Sequence, residues 1–313
     1  MAQKGGGAGQ RQRRRQQAQF EELDKYPVKP PHAFARIVRD RRTLNIIYQV
    51  IEPPLTKKEE EARQEIMEIF IQALTADIEN IDADPEMYLR AAMDQIIKSY
   101  RMKVNKKSRS KVFYYLRRDM IGYGRMDVLM NDANVEDVSL DGTGIPIFAY
   151  HRKFESVETT VAWPDDHELE SYVIKLAQRC GKHISVAEPL LDATLMDGSR
   201  IVMKLGHEIS TRGSTFCIRR FREDPFSPCD IIAFRTMTSL MVAYMWICFQ
   251  QGVSMLFVGG TASGKTTTLN AMCLFIPWQM KIVSIESTRE VNIPQPNWIP
   301  GLTRQGFGGE TNE

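Results

Sequence analysis

Val253-Ser254-Met255-Leu256-Phe257-Val258 runs straight into Gly259-Gly260-Thr261-Ala262-Ser263-Gly264-Lys265-Thr266, and Thr267-Thr268-Leu269-Asn270-Ala271-Met272 follows. The first six residues lack polar alternation, the pattern of a strand buried on both faces of a parallel sheet. The last six start a helix. Between them stands G-x-x-x-x-G-K-[ST], in the strand–loop–helix setting of a phosphate loop. Glycines let the backbone curl so that successive N–H groups converge on phosphate oxygens, and a helix amino end adds partial positive charge. The expected nucleotide contacts are Gly259, Gly260, Thr261, Ala262, Ser263, Gly264, Lys265, Thr266 and Thr267. Lys265 is expected to bridge the β- and γ-phosphates and Thr266 to offer its hydroxyl to Mg²⁺, so the ligands implied are ATP and Mg²⁺. At roughly 4 Å and an effective dielectric near 20, one such charge contact contributes about 4 kcal/mol before desolvation. With ordinary glycine usage the pattern arises by chance in about one chain in a hundred of this length.

Downstream, Lys281-Ile282-Val283-Ser284-Ile285 reads as a second buried strand ending in Glu286-Ser287-Thr288-Arg289-Glu290. In open α/β sheets ligands sit at the carboxyl ends of strands. Glu286 and Glu290 are therefore candidates to order Mg²⁺ or the attacking water, although an exposed charged turn fits the same residues.

Upstream the chain divides by composition. Residues 1–45 begin with Lys4, Arg11, Arg13, Arg14 and Arg15 in a Gly- and Gln-rich stretch without a carboxylate before Glu21, and read as a disordered basic tail. Residues 46–122 read as a helical domain. Its first helix starts at Thr56 with a capping box to Glu59, its second at Asp84-Pro85, and its third carries Val112, Phe113, Leu116 and Met120 up to Gly122 and Gly124. Residues 123–222 read as an α+β domain, with turns at Asp141-Gly142 and Asp197-Gly198, a helix over about 165–180 with Leu169, Val173, Leu176 and Ala177 on one face, and a last strand over 214–221. Residues 223–230, with Pro225 and Pro228, form a linker, and the segment 231–313 opens with a helix over about 231–249.

The 313 residues carry 41 basic and 39 acidic side chains, a net charge of +2, and 43% are apolar. Such a balance supplies cores for more than one domain and gives no overall field for nucleic acid. The basic tail lacks the apolar segment of a signal peptide, and the longest apolar run, Leu240 to Phe249, falls short of the roughly twenty residues of a membrane span. The expected location is cytoplasmic. Cys180, Cys217, Cys229, Cys248 and Cys273 form no C-x-x-C pair, and each is expected to be a small buried hydrophobe.

The stretch 259–271, with Phe275-Ile276-Pro277 and Lys281 to Glu286, resembles the type II/type IV secretion ATPase superfamily, and its archaeal branch in particular. The same look is in Tyr123-Gly124-Arg125-Met126-Asp127, Val135 to Gly142, Tyr150-His151-Arg152, Glu188-Pro189-Leu190-Leu191-Asp192, Asp197-Gly198-Ser199-Arg200 and Glu52-Pro53-Pro54-Leu55-Thr56. The resemblance covers roughly residues 45 to 313. It implies an α/β fold in which the N-terminal helical segment and α+β domain precede an incomplete RecA-like phosphate-loop domain. It also implies a homo-hexameric ATPase acting peripherally at the inner face of the cell membrane on an integral-membrane platform of a pilus, archaellum or secretion machine. By motif position it assigns Arg200 and one arginine of Ile218-Arg219-Arg220 to the γ-phosphate; neighbours on a strand point to opposite faces, so only one of the two can face the nucleotide, and the family's motif position favours Arg219. Ser287 stands where the family's acidic box continues with Asp, which leaves Glu286 and Glu290. Forty-eight residues follow Lys265 without the family's Walker B strand, so a fragment that hydrolyses ATP poorly is expected. A non-enzymatic assembly module and a RecA-like nucleic-acid motor are the alternatives, the latter opposed by the lack of a basic, aromatic-interleaved stripe.

Overall fold

The computed structural model describes residues 19–74, 84–221, 225–260, 263–286 and 289–303. The chain folds as two units. The first holds the described residues up to Gln178 with His183–Leu191 and Met203–Ile218; the second holds Arg179–Lys182, Asp192–Val202 and the described residues from Arg219 onward.

The first 18 residues of the proposed tail lie outside the described residues, but the rest of it is ordered. Strands β1 (Phe20–Lys29) and β2 (Ala33–Asp40) form an antiparallel hairpin, continued by β3 (Ile46–Ile51). In β2, Ala33, Ala35, Ile37 and Val38 are fully buried. Disorder over 20–45 is thus corrected: those residues carry a period-two apolar pattern that the low-complexity stretch before them obscures.

Helices α1 (Lys57–Leu74), α2 (Pro85–Ser99) and α3 (Lys106–Met120) form a bundle on Ile66, Phe70, Met93, Ile97, Val112 and Leu116. Local chemistry sets their starts. Thr56 Oγ1 accepts the Glu59 N–H at 3.3 Å and Glu59 Oε2 accepts the Thr56 N–H at 2.8 Å, the reciprocal box expected. Asp84 caps α2 through the Glu86 N–H at 3.0 Å, with Pro85 at the first helical position. A short α4 (Asp127–Asn131) leads to β4 (Val135–Leu140), β5 (Pro146–His151), β6 (Glu155–Ala162), α5 (Asp166–Arg179), β7 (Leu190–Thr194), β8 (Arg200–Lys204) and β9 (Thr215–Arg219). Leu169, Val173, Leu176 and Ala177 are all buried on α5, as its amphipathic pattern requires.

The nine strands form one sheet in the order β1-β2-β3-β6-β5-β4-β9-β8-β7, so the hairpin expected to be tail and the strands of the α+β segment share it. The join is the parallel pair β3–β6. A buried polar network also ties the two strand groups together: Tyr26 and Tyr48 each donate to Asp132 Oδ2 at 2.6 Å, and Tyr26 Oη lies 3.0 Å from His151 Nε2. Because His151 Nδ1 accepts the Lys153 N–H at 3.1 Å, the neutral ring carries its proton on Nε2. Burial, with Asp132 adding to it, raises the pKa of both tyrosines and so keeps them protonated, and burial holds His151 below the ordinary histidine range. The network is therefore satisfied in its uncharged-ring form.

In the second unit the expected single helix over 231–249 is two: α6 (Pro228–Ala233) and α7 (Ser239–Gln250). Ser227 and Asp230 make a reciprocal capping box that starts α6 early, Arg235 takes a left-handed φ of 58°, and Thr238 caps α7 anew. Their core comprises Ile231 and Val242 with Ala271 and Met272 of α8 (Lys265–Cys273). Strands β10 (Ile282–Glu286) and β11 (Trp298–Leu302) pair in parallel. Two expectations of burial fail. Residues 253–258 form no strand, with Leu256 87% and Val258 81% exposed, and in β10 Ile285 is 76% exposed. An apolar run becomes a central strand only when neighbours pair with it, and among the described residues none pairs with 253–258.

Candidate functional site

The loop from Gly259 to Thr267 turns on its glycines. Gly264 has φ 85°, a conformation that L side chains rarely adopt, and a Cβ on Gly259 would collide with Ser263 Oγ. Ser263 Oγ donates to the Gly260 carbonyl at 2.9 Å and Lys265 Nζ donates to the same oxygen at 2.6 Å. The lysine ammonium is thereby directed back at the loop. Helix α8 begins at Lys265, two residues earlier than its sequence suggests, and Thr268 N–H is the donor to Gly264 O at 2.9 Å. Among the described residues no side chain caps its amino end, which leaves first-turn N–H groups for an anion. Thr266 and Thr267 are half-buried, while Thr261 and Ala262 lie outside the described residues.

The two candidate carboxylates are joined by backbone. Glu286 closes β10, and its Oε2 accepts the N–H groups of Glu290 and Val291, both at 2.8 Å. Its Oε1 is buried and has no hydrogen-bond partner among the described residues. Glu290 is exposed and Ser287 lies outside the described residues. The 290–292 segment is held against α8 by Asn270, whose Nδ2 donates to Glu290 O at 2.9 Å and whose Oδ1 accepts the Asn292 N–H at 3.0 Å. Asn270 was not among the expected site residues. Its signal was a polar side chain in an otherwise apolar stretch of helix.

Arg200, at the start of β8, grips Asp192 through Nε at 3.2 Å and Nη2 at 2.6 Å. That bond, followed by the Asp192 charge and the field of Glu290, raises its already high ionisation range. Arg200 is thus engaged by Asp192, a residue given no role in advance. On β9, Phe216 and Ile218 are buried while Cys217 and Arg219 are exposed, the alternation that places Arg219 on the outer face. Cys217 and Cys229 are exposed, not buried as expected.

The donors suit a hard cation held chiefly by its own phosphates and waters. Thr266 supplies a hydroxyl, and no group of three or more His, Cys, Asp or Glu residues able to hold a metal occurs among the described residues. Among those residues no helix is long and apolar enough to cross a membrane.

Residues 148–300 match the family described as Type II/IV secretion system protein. That segment of the chain is similar to the family. The chain is 38% identical over 205 residues to the uncharacterized protein MJ0900 of Methanocaldococcus jannaschii, covering 66% of this chain and 37% of that protein. It is 24% identical over 166 residues to the Type IV secretion system protein VirB11 of Bartonella henselae, covering 42% of this chain and 47% of that protein. Among solved structures, the ATPase DotB of Legionella pneumophila aligns at 14% identity and a TM-score of 0.39, covering 57% of this chain and 51% of that one. The chain therefore spans less than half the length of both the M. jannaschii protein and VirB11.

Proposed function

We propose that the chain binds ATP through residues 259–267 and is a subunit of a motor that hydrolyses it to drive a secretion, pilus or archaellum machine. The observation that carries this reading is the amino end of α8, uncapped by any described side chain, behind a left-handed Gly264, with Lys265 Nζ already turned onto the loop. To bind phosphate, Lys265 exchanges the Gly260 carbonyl for the β- and γ-phosphate oxygens, while backbone N–H groups at the start of α8 take the remaining charge. Thr266 would hold Mg²⁺, which when bound neutralises charge on the phosphate oxygens.

Glu286 suits the role of water-orienting group, because one carboxylate oxygen is fixed by two backbone donors and the other, though buried, has no hydrogen-bond partner among the described residues. Glu290 is the second candidate. The water oxygen attacks the γ-phosphorus, the bond to the β–γ bridging oxygen breaks, and ADP leaves with inorganic phosphate. Arg200 and Arg219 would stabilise the transferred group, and for Arg200 this requires release from Asp192. By family likeness the working form is a homo-hexamer at the cytoplasmic face of the membrane, coupled to an integral-membrane platform. Steady-state phosphate release tests the chemistry. Lys265→Ala and Arg200→Ala are expected to lower turnover by at least about a hundredfold, and unchanged turnover in both would overturn the mechanism.

A further inference from the structure

Within the first unit, the β1–β2 turn and helices α2 and α3 enclose a groove of about 580 Å³, the size of a ligand or peptide-anchor pocket. Its lining includes the buried apolar side chains Met93, Phe113 and Tyr114. Its cations are spread along two helices: Arg90 on α2, and Lys106, Arg109 and Arg117 on α3. Lys29 also lines the groove but is neutralised by the buried Asp127 at 2.6 Å.

The balance of charge favours an acidic occupant. Arg117 already holds Glu86 at 2.7 Å and Arg109 reaches Asp94 at 3.6 Å, so carboxylate is the group these arginines bind within their own chain. Arg90 and Lys106 have no carboxylate partner among the described residues; the Arg90 guanidinium lies 4.4 Å from the Phe113 ring centroid. His32 adds no charge near neutrality, because burial lowers its ionisation. The spacing distinguishes a peptide from a single phosphate. At a rise of about 1.5 Å per residue, Lys106 and Arg117 stand roughly 16 Å apart along α3. That span is far beyond one phosphate group and close to about five residues of extended chain.

We propose that this groove docks an acidic peptide segment of a protein partner, its carboxylates taken by Arg90 on α2 and by Lys106, Arg109 and Arg117 along α3, with Arg109 and Arg117 exchanging Asp94 and Glu86 for them, and an apolar side chain set against Met93 and Phe113. The recognition is independent of the nucleotide reading. A fluorescein-labelled peptide of alternating glutamate and leucine, titrated with the full chain at low ionic strength, is expected to bind and to weaken steeply with added salt. The double variant Arg90→Glu/Lys106→Glu is expected to weaken it at least about tenfold with an unchanged circular dichroism melt, since both residues are exposed. If that variant misfolds, Arg90→Gln/Lys106→Gln serves in its place. Lys265→Ala and Arg152→Glu should leave binding unchanged. Several results would overturn the proposal: equal binding of the lysine-for-glutamate peptide, retention of full affinity by the folded double variant, displacement by stoichiometric pyrophosphate, or capture by phosphatidylglycerol vesicles without peptide binding.

Discussion

Replacing Asn270 with Leu tests whether α8 and the 290–292 segment are coupled as described. The side chain is buried to 9% exposure, and it links α8 to the Glu290 carbonyl and the Asn292 N–H. Leucine fills a similar volume but leaves a backbone acceptor and a backbone donor without these partners, each costing about 1–3 kcal/mol. After the apolar gain of the leucine the expected net loss is about 2–4 kcal/mol, which for a unit of about a hundred residues lowers Tm by roughly 10–20 °C. Asn270→Asp should be at least as damaging, because it keeps the acceptor for Asn292 but sets a carboxylate against the Glu290 carbonyl. Urea unfolding followed by tryptophan fluorescence reads the loss, since Trp246, Trp278 and Trp298 all lie in the second unit. A shift below about 0.5 kcal/mol for Leu, the range of ordinary surface substitutions, would refute the coupling.

Glu59 gives a pH signature: the Thr56 N–H, then the Ser108 hydroxyl, lower its pKa from an ordinary 4.5 to about 2. Its folded-state pKa lies below the unfolded value, so its contribution is complete above pH 4.5 and is lost as pH falls through about 2; urea midpoints across that window should flatten in Glu59→Gln. Asp192→Asn should free Arg200 and lower the KM for ATP, while Tm moves little because the pair is exposed and such pairs contribute roughly 0–1 kcal/mol. A raised KM would show that Asp192 positions Arg200 instead of competing for it. Leu256→Asp should change stability by less than about 0.5 kcal/mol, since the side chain is 87% exposed; a loss of several kcal/mol would mean that the 253–258 run is buried in the folded protein.

Much of the framework was legible because it is encoded locally. The Thr56–Glu59 box, the Asp84-Pro85 start and the apolar face of α5 each depend on residues within a few positions of one another, and all three are present. The tight turn at Gly259 to Gly264 ahead of α8 was legible for the same reason. Other features depend on partners distant in sequence. Residues 253–258 are apolar, yet apolarity reports only the capacity for burial, and pairing is decided by neighbours the run itself does not specify. The β1–β2 hairpin was hidden by the basic, glycine-rich stretch before it. Asn270 and Asp192 gain their roles only where the fold brings them to the 290–292 segment and to Arg200. The break between α6 and α7 was readable in Ser227-Pro228 and Thr238, but the apolar continuity from Ile231 to Phe249 masked it.

The most direct test of the central claim is calorimetric titration of the chain with Mg²⁺-ATP beside Lys265→Ala. Saturable binding to one site per chain that weakens by at least about tenfold in Lys265→Ala is the predicted result. Equal affinity in the two proteins, or no binding to either, would contradict a phosphate loop at 259–267.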